Sequence, residues 1–326
     1  MRLAPFVVAV GIVALALLTL PGISEIRERL TSADPWCVAA TAALSLLSMF
    51  GFATALWAVF GRVMPWRRAV VLGFAEQGAN VLMPAGGLGG PALGVMVMRR
   101  AGVPAGLAVR RHAVHFLSTS AVGFGAVAVA GLLLSAGLLP RDVSLAAVLA
   151  PALAALAVIA AAVLLALRAG RSSGGSGSLA RAVRFVRDGA ESTLETLIRG
   201  DRLLVVGAVA YYALDVAALG AAFQGVGGGA PPIGVFVLAY TIGHAGALLP
   251  TPGGLGGTEG GLIGAFSLYG ASPEIAAAAV LGYRVFQLGL PAVLGGACMM
   301  RIRRQLANGP PRAEVAARFT EERPER

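Results

Sequence analysis

Four stretches of this chain, Pro35 to Phe60, Ala113 to Leu139, Val143 to Leu167 and Leu203 to Gln224, run for about 20 residues or more with almost no charge. That is the length an α-helix needs to cross a bilayer core, where backbone groups have no water to bond and must pair within the segment. The expected fold class is therefore an all-α polytopic membrane protein. Composition agrees: 57% of residues are hydrophobic and 13% charged, whereas a soluble domain is close to half apolar and a quarter charged.

All 26 basic residues are arginine. Without lysine the chain has neither the P-loop lysine of a Walker-type ATPase nor a Schiff-base nucleophile. A net charge of +10 would suit nucleic acid, but the arginines lie in short loops between apolar segments, where they set orientation and meet anionic lipid heads. Nucleic acid is not an expected partner. Cys37 and Cys298 lie near the ends of different spans, so no disulfide framework is expected. Met1-Arg2 and the apolar run Ala4 to Leu20 look like a signal peptide. The exit Leu20-Pro21-Gly22-Ile23-Ser24 lacks an A-x-A site, which favours an uncleaved first span over cleavage.

Arg62, Arg67 and Arg68 precede the stretch Ala69 to Met98, and Arg99, Arg100, Arg110 and Arg111 follow it, so both flanks are expected to be cytoplasmic. The stretch is broken by Pro84-Ala85-Gly86-Gly87-Leu88-Gly89-Gly90 and reads as a re-entrant hairpin. Irregular backbone at that depth predicts a cavity or a protein cover. Residues 168–202 carry seven arginines and four acids and read as a cytoplasmic linker. Within it, Leu179 to Leu197 has the spacing of an amphipathic helix.

After the span from Leu203, the stretch Ile233 to Tyr269 is broken by Pro250-Thr251-Pro252-Gly253-Gly254-Leu255-Gly256-Gly257, and a last span from about Glu274 to Met299 ends in Arg301, Arg303 and Arg304. For that orientation to close, the second hairpin enters from the outside. The pattern is an inverted repeat of span, broken hairpin and span, at about 35–139 and 203–299, within one membrane domain, 1–304. With the first apolar run this makes about six spans and two hairpins, eight membrane segments. Both termini are expected in the cytoplasm of a bacterial inner-membrane protein, with 305–326 a disordered tail.

Paired Gly/Pro breaks are the best sequence pointer to a transporter's binding site, because half-helix ends there aim dipoles and free backbone groups at substrate. Close helix packing is the other reading of the same glycines. The break residues are Pro84, Gly86, Gly87, Gly89 and Gly90 in the first hairpin, and Pro250, Pro252, Gly253, Gly254, Gly256 and Gly257 in the second. Ionisable groups within spans cost about 2.5 to 3.5 kcal/mol on insertion scales unless paired or hydrated. Asp215 and Arg284 are therefore expected to form an internal pair or to share a substrate.

Glu259, just past the second break, either caps a half-helix or meets a cationic head group or proton. Glu76 and Asn80, four apart with Gln77 between, either line the cavity or close hydrogen bonds between helices. His112, His115 and His244 lack the companions of a metal site, and no cofactor is expected. No nucleophile motif supports an enzyme.

The strings Asn80-Val81-Leu82-Met83-Pro84, Leu249-Pro250-Thr251-Pro252-Gly253-Gly254-Leu255-Gly256-Gly257-Thr258-Glu259 and Tyr283-Arg284 resemble the lysylphosphatidylglycerol synthase transmembrane-region family. The likeness covers nearly the whole chain to about Arg304. It implies a flippase-like membrane domain, which in the best-known members moves an aminoacylated phospholipid made by a separate soluble domain. A chain ending at Arg326 is expected to lack that domain. The first repeat departs from the family pattern, with Gly90-Pro91-Ala92-Leu93-Gly94 where relatives carry an acidic and a basic residue, and with no Glu beside Arg110-Arg111.

The expected function is movement of a phospholipid or lipid-linked head group between leaflets without ATP hydrolysis. Arg284 holds the phosphate, Glu259 or Asp215 answers a positive head group, and Tyr283, Asn80 and Glu76 complete the substrate-binding set. A small-solute transporter or channel and a non-transporting scaffold for a lipid-modifying enzyme are the alternatives. Membrane lipids are the expected partners, with a second copy or a membrane enzyme as further candidates.

Overall fold

The computed structural model describes residues 24–62, 64–83, 87–167, 189–195, 201–248 and 251–307. These residues are helical, with no strand among them: α1 (Ser24–Thr31), α2 (Pro35–Val59), α3 (Trp66–Leu82), α4 (Gly89–Arg100), α5 (Ala105–Ser135), α6 (Leu145–Leu167), α7 (Arg202–Gly225), α8 (Ile233–Gly243), α9 (Gly257–Leu268), α10 (Pro273–Leu290) and α11 (Gly296–Ala307). Five helical runs are long and apolar enough to cross a membrane: α2, α5, α6, α7 and Pro273–Leu306. The expected first span, most of the 168–202 linker, Pro84, Gly86, Pro250 and the tail from 308 lie outside the described residues.

Two expectations shift at the margins. The last helix continues to Ala307, past the boundary drawn at Arg304, because Cys298, Met299, Ile302 and Leu306 give it an apolar face against Leu72 and Ala69 of α3. The short helix α1 was not anticipated from composition. Ile26 and Leu30 pack on the core, and Arg29 donates to the Val226 carbonyl at 3.3 Å while pairing with Glu25 at 2.8 Å.

The helices α2 and α7 begin alike. Asp34 accepts from the N–H groups of Trp36 and Cys37, and Asp201 from those of Leu203 and Leu204, each satisfying two of the donors that a helix start leaves open. The two helices lie against each other antiparallel. Asp34 N–H donates to the Gly225 carbonyl at 3.0 Å, Ser48 donates to the Tyr211 carbonyl at 2.8 Å, and Arg62 pairs with Asp201 at 3.0 Å, so partners rise along one helix as they fall along the other.

Their contact is backbone to backbone. A Cβ on Gly51 would stand 2.5 Å from the Tyr211 nitrogen, and one on Gly207 would stand 2.5 Å from the Ala55 nitrogen. Within a membrane, where apolar burial drives no association, such close van der Waals approach is what holds helices together.

Each long helix is followed by a broken hairpin, α3–α4 after α2 and α8–α9 after α7. Gly87 turns the first break at φ 82°, and Gly253, Gly254 and Gly256 turn the second at φ 62°, 67° and 84°. Gly89, Gly90 and Gly257 instead form the first turns of α4 and α9, so the glycine strings extend past the breaks into the helices that follow. There the glycines let the arms touch: a Cβ on Gly90 would lie 2.6 Å from the Glu76 carbonyl oxygen, and one on Gly261 2.3 Å from that of Gly243. The packing reading of the glycines thus holds for these members, while Gly87, Gly253, Gly254 and Gly256 turn the chain.

The hairpins exchange partners. The first arm α3 packs on the end of the second unit, where Pro291 cannot donate a backbone N–H and the helix widens into a π turn, Pro291–Gly295, whose Gly295 meets Gly78. The first arm of the other hairpin, α8, packs on α5, with Gly234 against Leu134 and Leu139. The loop ends of the first hairpin cluster with Phe60, Met64 and Ile302 through Met98 and Val103. Those of the second lie at the opposite end of the stack, where Tyr269 donates to the Ala147 carbonyl at 2.7 Å and Ala271 packs near Val226 and Leu30.

The close approach of α2 and α7 predicts that Gly51→Ala and Gly207→Ala each destabilise by about 1–3 kcal/mol through overpacking. Gly220→Ala in α7, where a Cβ meets nothing within 4 Å, stabilises slightly. Thermal unfolding of the three variants in detergent checks the contrast.

Candidate functional site

Breaking a helix inside a membrane strands backbone donors and acceptors, and the polar side chains singled out in the sequence answer them. In the first hairpin Asn80 Oδ1 accepts from the Gly90 N–H at 2.6 Å, closing the start of α4. Gln77 donates to the Met49 carbonyl at 3.4 Å. Glu76 does not face open space. It is 1% exposed, and its Oε1 lies 2.9 Å from His112 Nε2 on α5, so it joins two helices.

In the second hairpin Glu259 Oε2 accepts from the Gly256 N–H at 2.7 Å, capping α9, while its Oε1 receives Arg284 Nε at 2.7 Å. Capping and ion pairing are therefore carried by the same carboxylate. Arg284 reaches further. Nη2 donates to the Gly253 carbonyl at 2.7 Å and Nη1 donates to Gln287 Oε1. The guanidinium is 5% exposed, and its planar fork holds the break, the capping carboxylate and its own helix together. Thr251 donates to the Leu255 carbonyl at 3.0 Å, completing the loop.

The expected pairing of Asp215 with Arg284 does not form. Asp215 Oδ2 accepts from the hydroxyls of Tyr240, at 2.5 Å, and Tyr283, at 2.8 Å. Two phenol donors solvate the carboxylate, and Glu259 takes the arginine because the hairpin delivers it directly beside α10. Tyr283 is fully buried and positions Asp215. His244 lies on Tyr240 with ring centroids 4.2 Å apart and bonds the Tyr240 carbonyl through Nδ1 at 3.0 Å. Its Nε2 is buried and has no hydrogen-bond partner among the described residues.

The second break lies against the end of α3. A Cβ on Gly253 would stand 2.7 Å from Leu288 of α10 and 3.6 Å from Val81 at the end of α3. Arg284, Glu259 and the end of α3 are thus one neighbourhood, and Asp215 with its tyrosines forms a second buried cluster beside it, Tyr283 being the neighbour of Arg284 on α10. Arg110 and Arg111 lie elsewhere, lining a cavity of about 430 Å³ beside Asp201, with Arg111 also donating to the Val59 carbonyl.

Four contributors were not singled out as site residues from sequence: His112, Tyr240, His244 and Gln287. Gln287 is one helical turn past Arg284 and was open to recognition by spacing. His112 stands 36 residues from Glu76, with nothing local to join them. Among the described residues no group of three His, Cys, Asp or Glu gathers as a metal ion would need.

Because Asp215 is the acceptor for two buried hydroxyls, Asp215→Ala is expected to cost about 1–3 kcal/mol for each hydroxyl left unpaired. Tyr283→Phe removes one donor and costs less. Chemical or thermal unfolding of the two single variants and the double variant in detergent measures the coupling.

No curated protein matches the chain in a sequence search. The family model described as the lysylphosphatidylglycerol synthase TM region matches residues 3–295, which takes in both hairpins, Glu259 and Arg284. The chain belongs to the lysylphosphatidylglycerol synthase TM-region family of membrane proteins.

Proposed function

We propose that this protein moves a phospholipid or lipid-linked head group between membrane leaflets, without ATP hydrolysis and without a covalent step. The observation that carries the reading is Arg284: a permanent cation, 5% exposed, bonded to Glu259 and to a backbone carbonyl at a helix break. A guanidinium so placed can exchange the Gly253 carbonyl and Gln287 for two phosphate oxygens in the same planar geometry. Glu259 then remains to meet a positive head group. Membership of a lipid-associated membrane family supports a lipid as cargo.

The reading is built on an inverted repeat in which α2 to α5 and α7 to α10 are the two units. Antiparallel packing of α2 on α7 supports opposite orientation, and so does the reciprocal seating of α3 on the end of α10 and of α8 on α5. Opposed half-helices of this kind build transporter sites at the repeat interface. In the orientation set by the arginines, Trp57 and Trp66, stacked edge-on at 5.4 Å beside Arg67 and Arg68, lie at the cytoplasmic face of an inner membrane, with both termini on that side.

In liposomes containing the purified protein, leaflet exchange of fluorescent anionic, zwitterionic and aminoacylated phospholipids is expected to exceed that of empty liposomes. Arg284→Ala and Glu259→Gln are expected to lower exchange by roughly tenfold or more, the worth of one charge-assisted hydrogen bond. Arg284→Lys keeps the charge but loses the fork and falls between. Folded protein that exchanges no lipid, even under an ion gradient, would favour a small-solute carrier or a scaffold instead.

A further inference from the structure

The two halves are closed by one kind of contact made from different chemistry. In each, a carboxylate on the hairpin meets a basic side chain on the span that follows: Glu76 of α3 with His112 of α5 at 2.9 Å, and Glu259 of α9 with Arg284 of α10 at 2.7 Å. Guanidinium never gives up its proton in a protein, whereas imidazole does so near neutral pH. A competing ion is what weakens a contact of the second kind, and loss of a proton is what weakens one of the first.

The proton count follows from the hydrogen bonds. His112 Nδ1 lies 2.8 Å from the Ala108 carbonyl, which can only accept, so Nδ1 carries a hydrogen. The bond between Nε2 and Glu76 Oε1 then needs one further proton between two groups that otherwise both accept. Whether that proton sits on nitrogen or oxygen, the pair is neutral. Removing it leaves two acceptors face to face and a buried anion whose Oε2 has no partner, and adding another leaves a buried cation.

Gly94 of α4 makes the contact possible. A Cβ there would stand 2.1 Å from His112 Nε2 and 2.2 Å from Glu76 Oε1, so bare backbone seals the pair from the α4 side.

Among the described residues the surroundings offer no competing acid. From the residue that caps α2 the Phe60 ring packs on His112 at 5.1 Å. His115, one turn along α5, is bonded to the Phe52 carbonyl at 3.2 Å and stacked on the Phe52 ring. Gln77 and Asn80 of α3 are neutral and engaged. Cys298 is the titratable group on the α11 face that packs on α3, and Arg301, Arg303 and Arg304 of α11 are exposed, as are Arg99 and Arg100 at the end of α4 and Arg110 of α5. Arg111 donates to the Val59 carbonyl.

We propose that the Glu76–His112 pair is a proton-binding site that couples movement of the first hairpin to a transmembrane pH gradient. In water near neutral pH a carboxyl is ionised and an imidazole mostly neutral, so the separated pair holds no proton and closing it binds one. Closure is therefore favoured by acid and opposed by base above about pH 6.5. Below that value the separated imidazole is already protonated and closure takes up none. The proton enters from the acidic side as the pair closes and leaves to the basic side as it opens. This inference rests on the transport reading above.

The test uses the full chain in vesicles of phosphatidylglycerol and phosphatidylcholine carrying a fluorescent phosphatidylglycerol, with a gradient of about one pH unit imposed or collapsed by a protonophore. At one proton per lipid, wild type builds a leaflet ratio of up to roughly tenfold under the gradient and returns to equal leaflets when it is collapsed. Glu76→Gln, which can donate an N–H to His112 but does not ionise, removes the gradient response. His112→Gln does the same and serves if the first variant fails to fold.

Wild-type exchange that ignores the gradient overturns the coupling and leaves the transport reading standing. No exchange under any gradient overturns both. A gradient response that survives in either folded variant shows that the pair is not the site.

Discussion

A helix broken inside a bilayer has backbone groups that water does not reach, and the protein must supply their partners. That requirement organises this structure. Asn80 answers the Gly90 N–H, Glu259 answers the Gly256 N–H, Arg284 answers the Gly253 carbonyl and Thr251 answers the Leu255 carbonyl. The polar residues that mark the candidate site are thus the ones that make the breaks tolerable. In the proposed transport, Arg284 would exchange its backbone and amide acceptors for a charged one, which bonds more strongly.

Close packing supplies the rest. Glycine lets α2 and α7 touch through their backbones, lets α4 lie on α3, and lets the π turn at Pro291–Gly295 sit on Gly78. These contacts fix which hairpin faces which span, and that placement sets which acid meets which base. Glu76 reaches His112 and Glu259 reaches Arg284 because each hairpin folds back onto the helix that follows it. The two contacts differ in the chemistry of their bases. One half carries a base that can lose its proton and the other a base that cannot.

Much of the fold was legible because it is local. Uncharged runs of membrane length and the glycine strings that interrupt them are read within a few residues; α2, α6 and α7 fall within two positions of those runs, whereas α5 begins eight residues early, at Ala105, and the last helix runs on to Ala307. Glu259 beside its break was legible for the same reason. The partner of Arg284 was not, since spacing places Asp215 and Glu259 at comparable depth and does not say which helix face turns inward. The outcome was set by two tyrosines, Tyr240 and Tyr283, which claim Asp215 from different helices. The pairing of Glu76 with His112 and the docking of α1 are likewise tertiary, with no local periodicity to announce them.

The account depends most on the two hairpins opening toward opposite membrane faces. The direct measurement is cysteine labelling with a membrane-impermeant maleimide, after replacing Cys37 and Cys298 by serine. Ala105→Cys, exposed beside the first hairpin, and Glu274→Cys, exposed beside the second, report the two ends. In right-side-out vesicles Glu274→Cys should label at once and Ala105→Cys only after permeabilisation. Labelling of both from the same side would contradict the opposed arrangement and, with it, the shared site where the second break lies against the end of α3.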